Sequence, residues 1–418
     1  MDNSAPHTIV SSMTTDVIIA GGGLNGTGLA LALAGHGLGV ALVDPLPEAQ
    51  RADDAFDGRG YALSIASQRL LGAIGIWPEV AQYSQPILHI QVTDGRAGDG
   101  ASPLMLEFDH AEIEEGPMGH MLEDRRLRPA LLAAVAASPR IRHLAGRSVT
   151  GHEADPAGVT VTLSDGTVLR GAVLIGCDGK ASPTARRCGI RRWGHAYGQS
   201  SLVCAVSHEL PHHGTACQFF MPGGPLAILP LPGNLSSIVW TETTAEAARI
   251  AALDDAGFLA ELRPRFGSFL GEIAIAGARY HYPLALSVAH DFVADRVALL
   301  GDAAHAVHPV AGQGLNAGLR DVGALAEVLV EAARRGEDIG RSDVLARYQT
   351  WRHFDVTRLA LATDATVRLF SNDNAFLRLG RDLGLGLVND VARIRRRLIR
   401  AAAGLEDRVP RLNRGLRI

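Results

Sequence analysis

DVIIAGGGLNGTGLALALAGHGLGVALVD, residues 16–44, decides how the rest of the chain is read. From Val17 to Val43 it holds no Asp, Glu, Lys or Arg, which meets the length test for a membrane span. Its glycines argue against that. The stretch divides into a β-branched run ending at Ala20, a glycine turn, a small-residue helix over about Gly26–Ala34 and a second strand over Val40–Val43. Strand, turn, helix, strand around Gly21-x-Gly23-x-x-Gly26 is a dinucleotide-binding unit: the glycines give a tight turn, close backbone approach to a pyrophosphate and close packing of helix on strand. Free N–H groups and the helix dipole at that N-terminus favour phosphate. Asp44 ends the second strand, where a carboxylate can accept from an adenosine ribose hydroxyl and disfavours a 2′-phosphate. The group Gly21, Gly22, Gly23, Gly26 and Asp44 is therefore expected to hold FAD or NAD, not NADP.

Composition sets the frame. With 418 residues, 47% of them hydrophobic and 20% charged, the chain can build two or three packed domains. A net charge of −4 gives no general attraction to nucleic acid, so no nucleic-acid partner is expected. The four cysteines form no CxxC pair, which favours a reducing compartment. The first dozen residues lack the basic and apolar regions of a secretory signal, and a cytoplasmic location follows as the expectation. No fixed-period repeat or low-complexity segment is visible.

The remaining sequence separates FAD from NAD. A loop of about 20 residues (Pro45 to Ser64) follows the first unit instead of another helix. It carries Arg59, and the next helix carries Arg69; each arginine faces either phosphate and flavin or solvent. LEDRRLRPALLAAV (122–135) has helical periodicity with Arg125 at its start. GVTVTLSDGTVLRGAVLIGCDG (158–179) is a hairpin followed by a buried strand ending in Asp178-Gly179, where such folds place ligands, though a plain turn reads the same way. A second strand-loop-helix unit lies in RVALLGDAAHAVHPVAGQGLNAGLRD (296–321), with a helix predicted over Leu315–Ala333. Two such units converging on one extended ligand fit FAD better than NAD. Asp302 is suited to ribityl hydroxyls, and the uncharged loop with the helix N-terminus at Leu315 and Asn316 to the flavin edge, where reduction builds negative charge. His305-x-x-His308 lacks a third ligand, so no metal is expected. Pro309 stiffens the wall over the flavin.

With both units placed, the chain resembles the class A flavin monooxygenases, specifically the UbiH/Coq-type hydroxylases of ubiquinone biosynthesis. The likeness rests on GGGLNG, on CDG at 177–179, on HPVAGQGLNAGLRD at 308–321, on QFFMPGGPLAILPLPGNLSSIVW at 218–240 and on DATVRLFSNDNAFLRLGRDLGLGLVN at 364–389, and it spans nearly the whole chain. It implies a Rossmann-like α/β FAD domain of the p-hydroxybenzoate-hydroxylase kind with an inserted β-sheet substrate domain. It implies FAD contacts from Gly21, Gly23, Gly26, Asp44, Arg125, Asp302, Gly312, Gln313, Gly314, Leu315 and Asn316, with Asp178-Gly179 supporting the flavin and a passing nicotinamide cofactor. The usual proline and alanine of the first turn are Leu24 and Asn25 here. Ala185 replaces a common arginine, with Arg186 one place late, which weakens the expectation of NADPH docking there.

The implied reaction is ring hydroxylation of a polyprenylated phenol, with NAD(P)H as transient reductant and O2 taken up as a flavin C4a-hydroperoxide. Such chemistry needs a water-excluding cap. Phe219, Phe220, Leu226, Leu229 and Trp240 are candidate pocket residues or ordinary sheet core. Removing the phenol proton needs a base, and no residue declares itself: His305, His308, His212 and His213 qualify by type, each equally readable as structural. The expected division is a flavin domain of 14–85, 120–190 and 285–345, a substrate domain of 86–119 and 191–284, and a helical region of 346–418. The segment 391–404 packs five arginines into eight positions, and 393–418 holds nine arginines against two acids. It is expected to contact anionic lipid on the inner membrane or a quinone-synthesis complex, or to be a solvated face. The rival activities are a soluble aromatic hydroxylase, a flavin reductase on another apolar ligand, and a silent FAD-holding subunit.

Overall fold

A computed structural model describes residues 13–47, 56–96, 100–370, 391–405 and 408–418. The chain is α/β. At its centre lies a six-stranded sheet in the order Val293–Ala294, Val297–Leu299, Val173–Gly176, Val17–Ala20, Val40–Asp44, Ile141–Ala145, parallel throughout except for the first, antiparallel edge strand. Strands Val17–Ala20, Val40–Asp44 and Val173–Gly176 are buried along their whole length. Burial on both faces is why they read as unbroken apolar runs instead of alternating patterns. The uncharged stretch 17–43 is thus a buried strand-helix-strand unit, and among the described residues no helix is long and apolar enough to cross a membrane.

Helix Leu24–Ala34 packs on the sheet and against the long helix Gln313–Arg334. Small residues let the two approach closely: a Cβ on Gly28 would stand 3.9 Å from Leu319. The carboxyl ends of Val17–Ala20, Val173–Gly176 and Val297–Leu299 lie side by side, so the turns after them, at 21–23, 177–180 and 301–303, share one edge of the sheet. That edge is where an open α/β sheet receives ligands.

An eight-stranded sheet covers this edge. Its order is His305–Ala306, Ile273–Ala289, Arg192–His208, Leu235–Thr243, Gly224–Leu231, Thr215–Met221, His89–Arg96, Gly100–Asp109, so strands near residue 100 join those from 192–289. Strands alternate their side chains between faces. One face packs on helices Thr244–Ala251 and Asp255–Phe266 through Phe219, Leu226, Trp240, Phe258 and Phe266. Phe219, Leu226 and Trp240, expected in the pocket, belong to that outer layer. The opposite face carries Phe220 and Leu229.

Three details differ from the sequence reading. Gly60–Ser64 is a strand, not loop, paired antiparallel with Gly119–Glu123, a partnership almost 60 residues apart that no local pattern announces. The following helix begins at Asp124, and the second-unit helix at Gln313. The helical tail comprises Ser342–Phe370 and Ala392–Ala402; residues 371–390, which hold most of the 364–389 stretch, lie outside the described residues.

Candidate functional site

Between the two sheets lies a cavity of about 1360 Å³. This exceeds the usual range for one small ligand, roughly 300–1,000 Å³. Its two halves differ in chemistry. The inner half is lined by Gly23 to Gly26, Cys177, Gly179, Lys180, Asp302, Pro309 and Gly312 to Asn316, mostly backbone and short side chains. The outer half is lined mainly by alternate residues of the large sheet, among them Ile90 and Val92, Leu106 and Phe108, Ser201 and Val203, Gln218 and Phe220, Ala227 and Leu229, Ser237 and Val239.

The first glycine turn is set by contacts that leave no room for a side chain. A Cβ on Gly21, at φ +110°, would stand 2.3 Å from the Cys177 carbonyl oxygen, and one on Gly26 would stand 1.9 Å from the Gly21 carbonyl oxygen. A Cβ on Gly23 would meet nothing within 4 Å, because that glycine faces the cavity. Asp44 is fully buried, and its carboxylate accepts from the Gly22 N–H and from Leu46 N–H at 2.8 Å. It clamps the turn from behind. Asn25, the departure from the usual small residue, reaches into space left by Gly301 and Gly318, where a Cβ would stand 2.5 and 2.2 Å from its amide nitrogen.

The second turn is held by side chains. Asp321 is fully buried; it accepts from His305 Nε2 at 2.6 Å, from Gly301 N–H at 3.0 Å and from Arg352 Nε at 2.7 Å. Burial alone would raise its pKa, but His305 and Arg352 outweigh that and hold it down at about 2. Arg192 donates to the Ala303 carbonyl from the other side. Asn316 ties the helix start to Gly60–Ser64: its amide donates to Ala62 O (2.8 Å) and Gly312 O (3.0 Å), and its oxygen accepts from Ser64 N–H (2.9 Å) and Ser67 Oγ (2.7 Å). Gly312, at φ +62°, starts the helix, whose first turn has no acid and no side-chain cap. Its N-terminal N–H groups are therefore available at the cavity.

Several predicted site residues lie elsewhere. Arg69 pairs with Glu115 at 2.6 Å, and Arg125 pairs with Glu123 and stacks on Phe56 at 4.7 Å; neither lines the cavity. Arg59 does line it, already paired with Asp57 (2.6 Å) and Asp124 (3.4 Å). Asp178 turns back to accept from Ser182 Oγ at 2.5 Å and Thr184 N–H at 2.9 Å, fixing its own turn. His305 belongs to the Asp321 network. His308 is buried behind Val307 and Pro309, edge-on to Tyr197 at 5.0 Å, and burial lowers its pKa to about 4, so it is a neutral imidazole. His212 is held in a turn by Leu231 O (2.8 Å) and Gly214 N–H (3.0 Å). Among the described residues the wall has no histidine and one carboxylate, Asp302. Three groups escaped the sequence reading: Gly60–Ser64, Arg192 and Lys180. Only the alternation in GYALS hinted at the first.

A family model described as an FAD binding domain matches residues 14–362. The chain belongs to that family. Over 417 residues this flavoprotein is 45% identical to ubiquinone hydroxylase UbiL of Rhodospirillum rubrum, covering 99% of this chain and 96% of the relative. It is 34% identical to 3-demethoxyubiquinol 3-hydroxylase of Escherichia coli (95% and 100% covered) and 30% identical to the mitochondrial ubiquinone biosynthesis monooxygenase COQ6 of Homo sapiens (93% and 92%). Among solved structures, p-nitrophenol 4-monooxygenase PnpA of Pseudomonas putida shares its fold, with TM-score 0.79, 18% identity and 95% and 100% coverage.

The residues present fit FAD. Two helices, Leu24–Ala34 and Gln313–Arg334, point uncapped N-termini without acids at one cavity. Gly23 leaves open space where a pyrophosphate needs it, and Asn25, on the wall, keeps a buried amide oxygen with no partner among the described residues. Both features suit an elongated ligand with phosphate at one end and a polar ring edge at the other.

Proposed function

We propose that this flavoprotein hydroxylates the aromatic ring of a polyprenylated phenol in ubiquinone biosynthesis, using NAD(P)H and O2 and releasing one oxygen atom as water. One observation carries the reading: the polar inner half of the cavity runs without a break into an apolar outer half, lined in part by the helices Ser342–Phe370 and Ala392–Ala402. Bound FAD supplies reduction by NAD(P)H and activation of O2; the chain supplies binding, orientation and dryness. We assign FAD contacts to Gly23, Gly26, Asp302, Gly312, Gln313, Gly314, Leu315 and Asn316, with Gly21, Gly22 and Asp44 shaping the first turn. The helix at Gln313 offers N–H groups to developing negative charge on the ring. Pro309 and the sheet face of Phe220 and Leu229 exclude water from the reacting atoms. With no histidine on the described wall, the phenol proton passes to Asp302 or to water.

The apolar outer half supports a prenyl tail. Leu369 and Phe370 from one helix and Leu398, Ile399 and Ala402 from the other line it. On the helix Ala392–Ala402, Ile394 and Leu398 are exposed beside the exposed Arg393, Arg396 and Arg397, an arrangement suited to an anionic lipid surface. The end of the tail is integral to the core, where Leu412 is fully buried and Asn413 reaches Ala66 O at 3.3 Å, so charge reversal tests this better than truncation. Changing Arg393, Arg396 and Arg397 together to Glu should abolish co-sedimentation with phosphatidylglycerol vesicles.

The main test is turnover of purified, FAD-loaded protein with NAD(P)H, a prenylated phenol and 18O2. One labelled oxygen atom per product, read by mass spectrometry, is expected. NAD(P)H oxidation with no labelled product would favour a reductase, and bound FAD with no NAD(P)H oxidation would favour a silent cofactor-holding subunit.

A further inference from the structure

Lys180 is the only lysine in the chain. It lies on the inner half of the cavity wall, exposed, immediately after Gly179. Its loop touches the first glycine turn directly, since Gly21 and Gly26 both pack against Cys177. Among the described residues, the wall carries one other cation, Arg59, whose guanidinium is already neutralised by Asp57 and Asp124. Lys180 has no hydrogen bond or ion pair to any described residue. The glycine turn offers backbone N–H groups and a helix dipole but no formal positive charge, whereas a pyrophosphate brings two negative charges into a half-enclosed space. Asp302, on the same wall, adds a third.

We infer that Lys180 is the counter-charge of the FAD pyrophosphate, its ammonium pairing with the phosphates at the N-terminus of the helix Leu24–Ala34. A lysine suits this task because it pairs as a flexible point charge and needs no preset geometry. The inference rests on FAD occupying the cavity, and it makes a loop beside the Asp178-Gly179 turn part of the cofactor grip.

The apoprotein is treated with a small N-hydroxysuccinimide ester, and acylation of Lys180 is quantified by mass spectrometry against the N-terminal amine as internal reference. FAD should protect Lys180 and leave the reference unchanged. In parallel, flavin fluorescence gives the FAD Kd at low and high salt: Lys180→Gln should weaken binding about three- to ten-fold at low salt with a smaller effect at high salt, and Lys180→Arg should restore most of it. Unchanged labelling with FAD, or an unaltered Kd in Lys180→Gln, overturns the inference. So does protection by NAD(P)H alone with a raised KM for it, which would assign Lys180 to the reductant. Failure of the wild-type protein to bind FAD would instead sink the proposed function, and the wild-type titration separates the two.

Discussion

The two strand-to-helix turns that meet at the cavity do the same job by different physics. The turn at Gly21–Gly26 is fixed by backbone contact: carbonyl oxygens occupy the places where Cβ atoms would stand, and one carboxylate, Asp44, holds the turn from behind. The turn at Gly301–Gly312 is fixed from a distance by Asp321, His305, Arg352 and Arg192. The first turn rests on close packing of backbone, Gly21 on Cys177 and Gly26 on Gly21, while the second rests on polar groups brought from 111 positions away, as Arg192 to Ala303, and from 254, as Asn316 to Ala62. The first therefore tolerates almost no added atom, and the second should be sensitive to protonation.

Adding one methyl group to the steric turn tests the first half of that contrast. Gly26→Ala would place a carbon 1.9 Å from a backbone oxygen that cannot move without shifting Gly21 off Cys177. The expected cost is on the order of 4 kcal/mol or more, read as loss of the flavin absorbance from protein purified with excess FAD. Normal flavin content in Gly26→Ala would show that the turn is looser than its contacts imply.

The polar scaffold should fail differently. Asp321→Asn takes from Arg352 its fully buried charge partner and leaves it only Asp355, at 2.8 Å, so a loss of roughly 3 kcal/mol is expected, read as a Tm lower by several degrees. The pH dependence has a definite sign. The folded-state pKa of Asp321, about 2, lies below the unfolded value of about 3.9. Its contribution to stability is therefore present above about pH 4 and lost as the pH falls from there toward 2. Wild-type Tm should drop across that window, and the drop should be shallower in Asp321→Asn. Equal acid slopes would mean that the carboxylate is not the acid-sensitive element of the scaffold.

These contrasts explain what the sequence made legible. The parallel core strands, the glycine turn and the helix Gln313–Arg334 were readable because unbroken apolar runs, glycine spacing and helical periodicity are local signals. The contents of the wall were not. Phe219 and Phe220 are adjacent in a run of apolar residues, and only the register against strands 89–96 and 224–231 decides which one faces the cavity. Arg69 and Arg125 carry the right charge, but Arg69 meets Glu115, 46 positions away, and Arg125 turns to Glu123, two positions before it, and neither pairing is declared by a local pattern. Asp44 and Asp178 stood at the correct strand ends, yet both carboxylates turn toward backbone N–H groups of their own surroundings.

Register itself can be tested with that adjacent pair. Phe219 packs among Trp240, Phe258 and Phe266 on the helix-covered face; Phe220 lines the cavity and stacks on Phe370 at 4.2 Å. Phe219→Ala should cost about 3–4 kcal/mol of stability and leave the KM for a prenylated phenol nearly unchanged. Phe220→Ala should lose less stability and raise that KM or uncouple NAD(P)H oxidation from product. Exchange of the two phenotypes would place the sheet one residue out of register.

The smallest effect separates a charge that looks functional from one that is. Arg69 follows the strand Gly60–Ser64 by five residues, close in sequence to the cavity, yet its guanidinium is a third exposed and paired with Glu115 on the outside. A pair of that kind is worth about 1 kcal/mol or less. Arg69→Ala should therefore shift Tm by no more than a few degrees and leave the FAD Kd as it is, whereas Lys180→Gln should shift the Kd and leave Tm alone. The two substitutions each remove one positive charge from the same domain, so a common electrostatic effect on an anionic cofactor would move both Kd values together. Divergence is expected because water and salt screen attraction between exposed charges beyond about 10 Å, and Lys180 stands on the cavity wall whereas Arg69 does not.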